Sequence, residues 1–316
     1  MKTISVIVPC YNESGNVAQM CNSLKVIFET KLQEYAYEII FLDNCSTDGT
    51  REILKELCSK EDNVRAILYT RNFGMINSPV YGLLQAGGDC AVLLACDFQE
   101  PVETIPDFVR EWEAGADVVA GVRSGSKQNR LMYTIRTTYY KMLDKGAPFE
   151  TIDHFTGFGL YDRKFIERLR QINDPMPFIR VMVAEFGTNV RTVYYKQEER
   201  RTGKSHSNLA EYYDIAMMSF TSYTGLGLRL VTFIGFFISF ISFGIGLFYL
   251  IMKLVNWNSF NAGMAPVLIG LFFLGAIVLV ALGLIGEYIM SINHRLMNRP
   301  LVIEEERIGF DEKEKS

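Results

Sequence analysis

The residues best suited to chemistry in this sequence follow an apolar run that ends in an acidic side chain. Residues 91–96 are apolar, and Asp97 comes directly after them in the stretch ACDFQEP. A buried strand does not normally end in a carboxylate that nothing neutralises, because burying an unpaired charge is costly. Gln99 lies two residues further on, where an extended chain would point both side chains the same way. Carboxylate and amide oxygens suit Mg²⁺ or Mn²⁺ in company with phosphate, although one acid and one amide alone do not specify a metal.

Polar side chains follow three other apolar runs in the same manner. They are Tyr11, Asn12 and Glu13 after the first run, Asp43 after the second and Arg71 after the third. A carboxylate such as Asp43 in a crevice suits a ribose or the edge of a base. The letters STD that follow it are typical of a turn and a helix cap. Carboxylates and an arginine that converge on one crevice predict an anionic nucleotide ligand held with a divalent cation.

Alternating β-rich and amphipathic runs would place these residues at one edge of a sheet. Strands are predicted at residues 4–8, 38–42, 64–69, 90–96 and 117–121, and helices at 15–32, 49–59, 75–85 and 102–112. This βαβα order predicts a parallel, doubly wound α/β sheet. Ligands of such sheets bind outside the carboxyl ends of the strands, where the polar residues cluster.

Length, composition and net charge indicate which classes of protein this chain could belong to. The chain has 316 residues, of which 49% are hydrophobic, and a formal net charge of −4. That length allows one sizeable domain and a further segment. The mild acidity argues against a nucleic-acid partner, which usually requires a basic excess. All six cysteines fall in the first third, without zinc-binding spacing, and indicate reduced, packed thiols.

Two long apolar runs predict a membrane anchor. Residues 230–252 and 264–285 carry no charged side chain, and each run is long enough to cross a hydrocarbon core of about 30 Å. A pair of buried core helices is the alternative, but such helices rarely run this far without a charge. Trp257 in the short connection suits a membrane interface. The two runs therefore predict a transmembrane hairpin in contact with the lipid bilayer.

Charges beside the runs predict the orientation of the hairpin. Arg229 precedes the first run and Arg295 and Arg299 follow the second, whereas the connection offers only Lys253. By the positive-inside rule both termini face the cytoplasm. The expected order is a cytoplasmic α/β domain (1–207), an amphipathic interfacial helix (208–228), a two-helix hairpin (229–290) and a charged, disordered tail (291–316). An ordinary packing helix is the alternative for residues 208–223.

Four segments occur in the order and spacing of a known family. SVIVPCYNE, FLDNCSTDGT, TRNFG and ACDFQEPVE resemble the motifs of family-2 inverting glycosyltransferases with the GT-A fold. The likeness is greatest to the branch that transfers a sugar from a nucleotide donor to a polyprenyl phosphate, which includes dolichyl-phosphate mannose synthase and bactoprenol glucosyltransferase. Bacterial members with two C-terminal spans look similar over nearly the whole chain. The resemblance implies a Rossmann-like GT-A catalytic domain and a multi-pass protein of the bacterial inner membrane.

The resemblance also implies roles for residues at matching positions. The donor nucleotide-sugar would be bound by Pro9, Tyr11, Glu13, Asp43, Arg71 and Asp97. Asp97 and Gln99 would hold the Mg²⁺ or Mn²⁺ that bridges the donor diphosphate. Arg123 resembles the family arginine that meets the acceptor phosphate, so that Asp97 and Arg123 are the implied catalytic residues. Further candidate contacts to the acceptor or the diphosphate are Arg136 and, in a segment that resembles a mobile loop, Arg200, Arg201, Lys204 and Ser205. A solvated surface charge is the alternative for each arginine.

Three positions depart from the family pattern. Ala95 stands where the family commonly has an aspartate, and Asn44 replaces a frequent second aspartate. Gly157 takes the place of an aspartate that is sometimes cast as a base. Loss of that base is tolerable, because a phosphate monoester carries roughly 1.5 to 2 negative charges at neutral pH and its oxygen is already a nucleophile. Loss of the acid at Ala95 is expected to weaken donor or metal contacts, or to shift donor preference.

These residues are compatible with three functions. The leading hypothesis is inverting transfer of a sugar from a nucleotide-sugar, UDP-linked, to undecaprenyl or another polyprenyl phosphate, which supplies a lipid-linked monosaccharide for cell-surface glycans. A processive polysaccharide synthase shares the fold, but the sequence lacks the Gln-X-X-Arg-Trp motif of those enzymes. A catalytically decayed, membrane-anchored nucleotide-binding scaffold would explain the three departures, but not the presence of Asp97, Gln99 and Arg123. A homo-oligomer is also expected, because short hairpins often pack against copies of themselves.

Overall fold

Two compact units make up the described part of the chain. The computed structural model describes residues 1–124, 152–172, 174, 177–198, 217, 226–255, 264–297 and 299–310. The first unit contains the described residues up to 198 together with 299–310, and the second contains 217, 226–255 and 264–297. Arg136, Arg200, Arg201, Lys204 and Ser205 lie outside the described residues.

An eight-stranded sheet forms the centre of the first unit. Its strands are β1 (Thr3–Cys10), β2 (Ala36–Asp43), β3 (Val64–Tyr69), β4 (Cys90–Leu93), β5 (Val118–Arg123), β6 (Phe155–Asp162), β7 (Val190–Tyr195) and β8 (Glu304–Ile308). They lie in the spatial order β7-β5-β6-β4-β1-β2-β3-β8. β6 runs antiparallel to β4 and β5, β8 runs antiparallel to β3, and the other four pairs are parallel. The prediction of a mostly parallel α/β sheet is confirmed.

Helices cover both faces of this sheet. They are α1 (Val17–Lys31), α2 (Thr50–Lys60), α3 (Gly74–Gln85), α4 (Ile105–Glu113), α5 (Arg163–Gln171) and α6 (Ile179–Phe186). Because side chains alternate along a strand, Val6 packs in the same apolar cluster as Phe108 of α4, whereas Ile7 packs in the opposite cluster with Phe165 of α5. Burial on both faces explains why the inner strands read as unbroken apolar runs. All six cysteines are free, as predicted, and four of them are buried.

The fourth strand is shorter than predicted. β4 pairs with β1 and β6 only over residues 90–93, whereas the prediction extended it to residue 96. Leu94 and Cys96 are nevertheless 1% and 2% exposed, respectively. The apolar letters after the strand therefore belong to a buried turn, which periodicity alone does not distinguish from a strand.

The C-terminal segment forms a strand instead of the predicted disordered tail. β8 joins the edge of the sheet at β3, and its charged side chains find partners on the neighbouring helices. Lys55 of α2 lies 2.7 Å from the carboxylate of Glu306, and the hydroxyl of Tyr81 donates to Glu304 at 2.6 Å. The expectation of disorder is wrong for this segment, because composition does not reveal partners that lie far away in the sequence.

Two long helices form the second unit. α7 (Leu226–Val255) and α8 (Met264–Leu296) are largely apolar, and most of the large apolar side chains that the structure describes on them are exposed. The stretch Phe273–Asn293 in α8, with a mean hydropathy of 2.2, is long and apolar enough to cross a membrane, whereas the apolar stretch Leu230–Ile245 in α7 is shorter. One helix among the described residues therefore meets this criterion, and the two-span hairpin stays a prediction. The predicted interfacial helix at 208–228 lies almost wholly outside the described residues.

Candidate active site

The turns after β1 and β2 are locked together at the carboxyl edge of the sheet. The Asn12 amide donates to Oγ of Ser46 at 2.8 Å, and the Thr47 amide donates to Oδ1 of Asn12 at 2.8 Å. The Ser14 amide donates to Oδ2 of Asp48 at 3.0 Å. Because β1 and β2 are parallel neighbours, both turns leave the sheet at the same edge. The letters STD thus form a turn, as predicted, and this turn also braces the one after β1.

Three predicted donor contacts lie on β1 and the turn that follows it. Pro9 and Tyr11 are partly exposed at the carboxyl end of the strand. Glu13 is only 7% exposed, and its Oε2 accepts from the side-chain amide of Asn16 at 2.5 Å. Its carbonyl also accepts from the amide of Val17, at the start of α1. Contact of Pro9 and Tyr11 with a ligand stays a prediction, whereas Glu13 is engaged in starting the helix.

Asp43 has no exposed surface. Its Oδ2 accepts from Nε of Arg51 at 2.7 Å and from the Ser46 amide at 3.1 Å. The ion pair with Arg51 neutralises the buried carboxylate. It thereby offsets the free-energy cost of burying a charge at this strand end. Asp43 therefore holds the turn after β2 in place, and direct contact with a ligand stays a prediction.

The third strand end carries Arg71 and is tied to the second. Arg71 is exposed, and its guanidinium lies 4.4 Å from the ring centre of Phe73. The side chain of Asn44 donates to Oγ of Ser78 at 3.1 Å and accepts from the Phe73 amide at 3.3 Å. Asn44 thus ties the end of β2 to the start of α3.

Asp97 lies in a tight turn four residues after the end of β4. Its Oδ1 accepts from the Gln99 amide at 3.1 Å, and Phe98 between them has φ +61°. Both Asp97 and Gln99 are partly exposed. The structure therefore brings the two predicted metal ligands together, but in a turn and not along an extended strand exit.

The donor set around Asp97 fits a hard divalent cation. Among the residues that the structure describes, no group of three or more His, Cys, Asp and Glu side chains could hold a metal ion. Asp97 offers a carboxylate, and Oε1 of Gln99, which accepts from Nε2 of Gln197 at 2.6 Å, retains a second lone pair. Mg²⁺ typically uses one or two protein carboxylates and takes its other ligands from phosphate and water. Asp97 and Gln99 suit such a cation when a diphosphate is bound.

Glu100 is a functional candidate that the sequence did not reveal. Its Oε2 accepts from the amide of Ala95 at 2.8 Å, and its Oε1 accepts from Oγ1 of Thr156 at 3.0 Å. Burial raises the pKa of Glu100 to about 7, and the charge of Asp97 adds to this rise. The two hydrogen bonds and the charge of Arg123 partly oppose it. Glu100 thus places a carboxyl group beside the backbone of Ala95.

Arg123 ends β5 on the same side of the site. It pairs in register with Tyr195 at the end of β7. Within the described part of the chain, Nε of Arg123 is buried without a hydrogen-bond partner. Because an unsatisfied buried donor is costly, Arg123 suits an anionic ligand that would accept from it. The charges of Asp97, in the turn after β4, and of Arg123, at the end of β5, both act on Glu100.

Known proteins resemble this chain in sequence. The model of glycosyl transferase family 2 matches residues 5–170. The SfII prophage-derived bactoprenol glucosyl transferase of Shigella flexneri is 31% identical over 95% of this chain and 96% of its own length. The prophage bactoprenol glucosyl transferase homolog of Escherichia coli K12 is 28% identical over 95% and 97%, respectively.

Solved structures are more distant. S. aureus TarS 1-349 in complex with UDP-GlcNAc shares 19% identity, with a TM-score of 0.45, over 70% of this chain and 66% of that one. The family model and the Shigella relative confirm the resemblance that the four motifs predicted. By its sequence over nearly its full length, this chain belongs to glycosyltransferase family 2.

Proposed function

We propose that this protein transfers a sugar from a UDP-linked donor to a polyprenyl phosphate at the cytoplasmic face of a membrane, with inversion at the anomeric carbon. Two relatives named bactoprenol glucosyl transferase, each aligned over 95% of this chain, favour such an acceptor. The single observation that carries the proposal is the closeness of Glu100 to both Asp97, in the turn after β4, and Arg123, at the end of β5. An acid for a metal-bound diphosphate and an arginine for an acceptor anion are the two groups that this reaction requires.

The donor would bind over the locked turns after β1 and β2. Tyr11 offers a ring for the base and Arg71 offers a cation beside it, and both are at least partly exposed. The diphosphate would extend from there towards Asp97. Asp97 and Gln99 would hold Mg²⁺ or Mn²⁺, which supplies positive charge to the diphosphate as it leaves. Ordered turns at this edge reduce the entropy cost of binding a flexible nucleotide-sugar.

The acceptor needs positioning more than deprotonation. Its phosphate oxygen forms a bond to the anomeric carbon while the bond from that carbon to the diphosphate oxygen breaks, and the electron pair leaves with the nucleoside diphosphate. Because the phosphate monoester is already ionised, no side chain has to take a proton from it. Arg123, whose buried Nε lacks a partner among the described residues, would orient the phosphate. Arg136, Arg200, Arg201, Lys204 and Ser205 remain candidates for further contacts to the acceptor or the diphosphate.

The apolar helices would anchor the protein in the bacterial inner membrane. The stretch Phe273–Asn293 of α8 meets the length and hydropathy of a membrane span. Together with α7 it would form a hairpin whose two ends face the cytoplasm, as the flanking arginines predict. A lipid-borne acceptor requires an enzyme that stays at the membrane, and an anchor on the same chain provides this. Assembly into a homo-oligomer through the hairpin is part of the proposal.

Turnover by the purified full-length protein tests the proposal. Labelled UDP- and GDP-sugars would be supplied with polyprenyl phosphate and Mn²⁺, and a lipid-linked sugar is the expected product. Asp97→Asn keeps an oxygen that can accept from the Gln99 amide but removes the charge, and it is expected to reduce turnover by about 100-fold or more. A protein that binds UDP but forms no product with any of these donors would instead fit the decayed scaffold. Full activity of Asp97→Asn would refute the metal assignment.

A further inference from the structure

Arg51 joins the C-terminal strand to the buried acid at the end of β2. From α2, its Nη1 donates to Oε2 of Glu305 at 2.8 Å and its Nε donates to Oδ2 of Asp43 at 2.7 Å. Its Nη2 donates to the carbonyl of Tyr69, the last residue of β3. The Arg51 side chain is 20% exposed, whereas that of Glu305 is 53% exposed. One guanidinium thus contacts three strands at the carboxyl edge of the sheet.

Asp43 passes this contact on to the two turns of the donor site. The Ser46 amide donates to its Oδ2 at 3.1 Å, and Oγ of Ser46 accepts from the Asn12 amide at 2.8 Å. A continuous series of hydrogen bonds therefore runs from Glu305 through Arg51, Asp43 and Ser46 to Asn12. Asn12 is the neighbour of Tyr11, the ring that the proposed donor base would meet.

Both turns hold backbone conformations that depend on such support. Asn12 has φ +54° and Cys45 has φ +62°, in the left-handed region that side chains other than glycine rarely adopt. Such residues persist only where surrounding contacts over-determine them. The carbonyl of Thr70 accepts from Sγ of Cys45 at 3.7 Å, and the Thr70 amide donates to the carbonyl of Ile303 at 3.1 Å. The C-terminal segment therefore reaches the second turn by an additional route.

The strand is held to the sheet by contacts that do not involve this series. Glu306 pairs with Lys55 at 2.7 Å. The guanidinium groups of Arg65 and Arg307 lie 5.0 Å and 4.8 Å, respectively, from the ring centre of Phe310. Glu305 is therefore presented to Arg51 by a segment with its own anchors, and the series can be broken without releasing the strand.

We propose that Arg51 is a positioning residue for the donor nucleotide, and that strand β8 completes the donor pocket by holding Arg51 against Asp43 through Glu305. This inference rests on the proposed function, since it assigns the donor to the turns after β1 and β2. It assigns a role in donor binding to residues that follow the apolar helices in the sequence. The role concerns donor affinity and not the chemical step, because neither Arg51 nor Glu305 reaches Asp97 or Arg123 through a described contact.

A matched pair of charge reversals tests this role. Glu305→Lys turns the partner of Arg51 into a repelling cation, and Glu306→Lys does the same to the partner of Lys55. Both side chains lie on β8 and are similarly exposed, at 53% and 46%, but only Glu305 leads to Asp43. Arg51→Gln removes the guanidinium itself, and Arg51→Lys keeps one charge without the three-way geometry. The full-length protein is used throughout, with the KM for the donor, kcat and the dissociation constant of UDP measured for each variant.

Glu305→Lys is expected to raise the donor KM and the dissociation constant of UDP by about two- to fivefold, the range of a partly exposed ion pair, with kcat within twofold of the wild type. Arg51→Gln should raise both by more than about tenfold, because it leaves a buried carboxylate unpaired. Arg51→Lys should lie between the two, and Glu306→Lys should leave both constants unchanged. Equal constants for Glu305→Lys and Glu306→Lys, or a change confined to kcat, would overturn the proposal.

Hydrogen exchange provides a readout that needs no substrate. The amides of residues 12 and 46–47 should exchange faster in Glu305→Lys than in Glu306→Lys, because the series from Glu305 holds their turns. Unchanged exchange in Glu305→Lys would refute the coupling itself, whatever the activity. A wild-type protein that neither binds UDP nor forms product would instead refute the proposed function, and the role in donor binding with it. The two failures are therefore distinguished.

Discussion

Replacing Gly157 with alanine or aspartate is expected to destabilise the protein. Gly157 is buried in β6 and has φ +104°, a conformation that L side chains rarely adopt. A Cβ at this position would lie 3.0 Å from Cγ2 of Ile179 and 3.9 Å from Cδ2 of Leu93. The first distance is tighter than an ordinary van der Waals contact, so Ile179 would have to move. An added side chain thus meets both backbone strain and crowding.

The magnitude follows from these two effects. A positive φ costs a residue with a Cβ about 1–2 kcal/mol, and the smaller entropy of the unfolded chain returns about 0.4–1 kcal/mol. Crowding against Ile179 adds about 1–2 kcal/mol, at the lower end of measured overpacking. Gly157→Ala should therefore lower the free energy of unfolding by about 2–3 kcal/mol. Gly157→Asp should lower the free energy of unfolding by about 1–3 kcal/mol more, because its carboxylate would be buried among apolar side chains.

Gly115→Ala is the matched control. Gly115 has φ +96° in the turn between α4 and β5, and an added Cβ would meet no atom within 4 Å. It isolates the backbone effect, a net loss of about 1 kcal/mol. Thermal unfolding of the full-length protein in detergent would compare the variants, since 1 kcal/mol shifts the Tm of a domain of this size by about 2–4 °C.

Two outcomes would refute this reasoning. Equal Tm shifts for Gly157→Ala and Gly115→Ala would mean that Ile179 does not crowd the site. A stable Gly157→Asp protein with higher turnover than the wild type would mean that the acceptor benefits from a carboxylate at this position. The second result would contradict the argument that an ionised phosphate needs no base.

Two further predictions concern stability. Trp112→Phe removes the indole N–H that donates to Oδ2 of Asp162 at 2.6 Å. It should lower the free energy of unfolding by about 1–2 kcal/mol; a Tm equal to that of the wild type, measured by circular dichroism, would contradict this. Burial raises the pKa of Glu304, but hydrogen bonds from Arg307 and Tyr81 outweigh it and hold that pKa below the ordinary 4.5. The folded state therefore binds this proton less tightly than the unfolded chain does. The ionised Glu304 carboxylate contributes to the free energy of unfolding above about pH 4.5, and this contribution is lost as the pH falls through the pKa of the folded state. Protection of the 304–308 amides from exchange should fall in that range in the wild type, and Glu304→Gln should lack this pH dependence.

The first half of the fold could be predicted because its determinants are local. In residues 1–112 the buried parallel strands appear as apolar runs and the helices as amphipathic patterns. Turn residues such as those after Asp43 mark the boundaries between these elements. The short turn after β4 was missed because its buried apolar residues have the composition of a strand. β8 was not predicted because its charged residues are typical of a disordered tail. Its partners on β3 lie more than two hundred residues away in the sequence.

The site shows the same division. Asp97 and Gln99 were predicted to follow the fourth strand, and Arg123 was implied by the family resemblance; the structure places Asp97 and Gln99 in the turn after β4 and Arg123 at the end of β5. No local pattern predicts that Asp43 pairs with Arg51, or that the carboxylate of Glu100 accepts a hydrogen bond from Thr156 on β6. These contacts depend on which elements become neighbours in space. The one local signal for Glu100 is its position five residues after Ala95, within reach of the same turn.

The position of β8 also determines when the sheet can be completed during synthesis of the chain. During synthesis, the outer edge of β3 has no strand to pair with until residue 308 has left the ribosome, long after Tyr69 has done so. Unpaired edges are sites where chains associate wrongly. The apolar helices are therefore complete before the sheet is, and any delay in translating or inserting them prolongs the life of an open-edged intermediate.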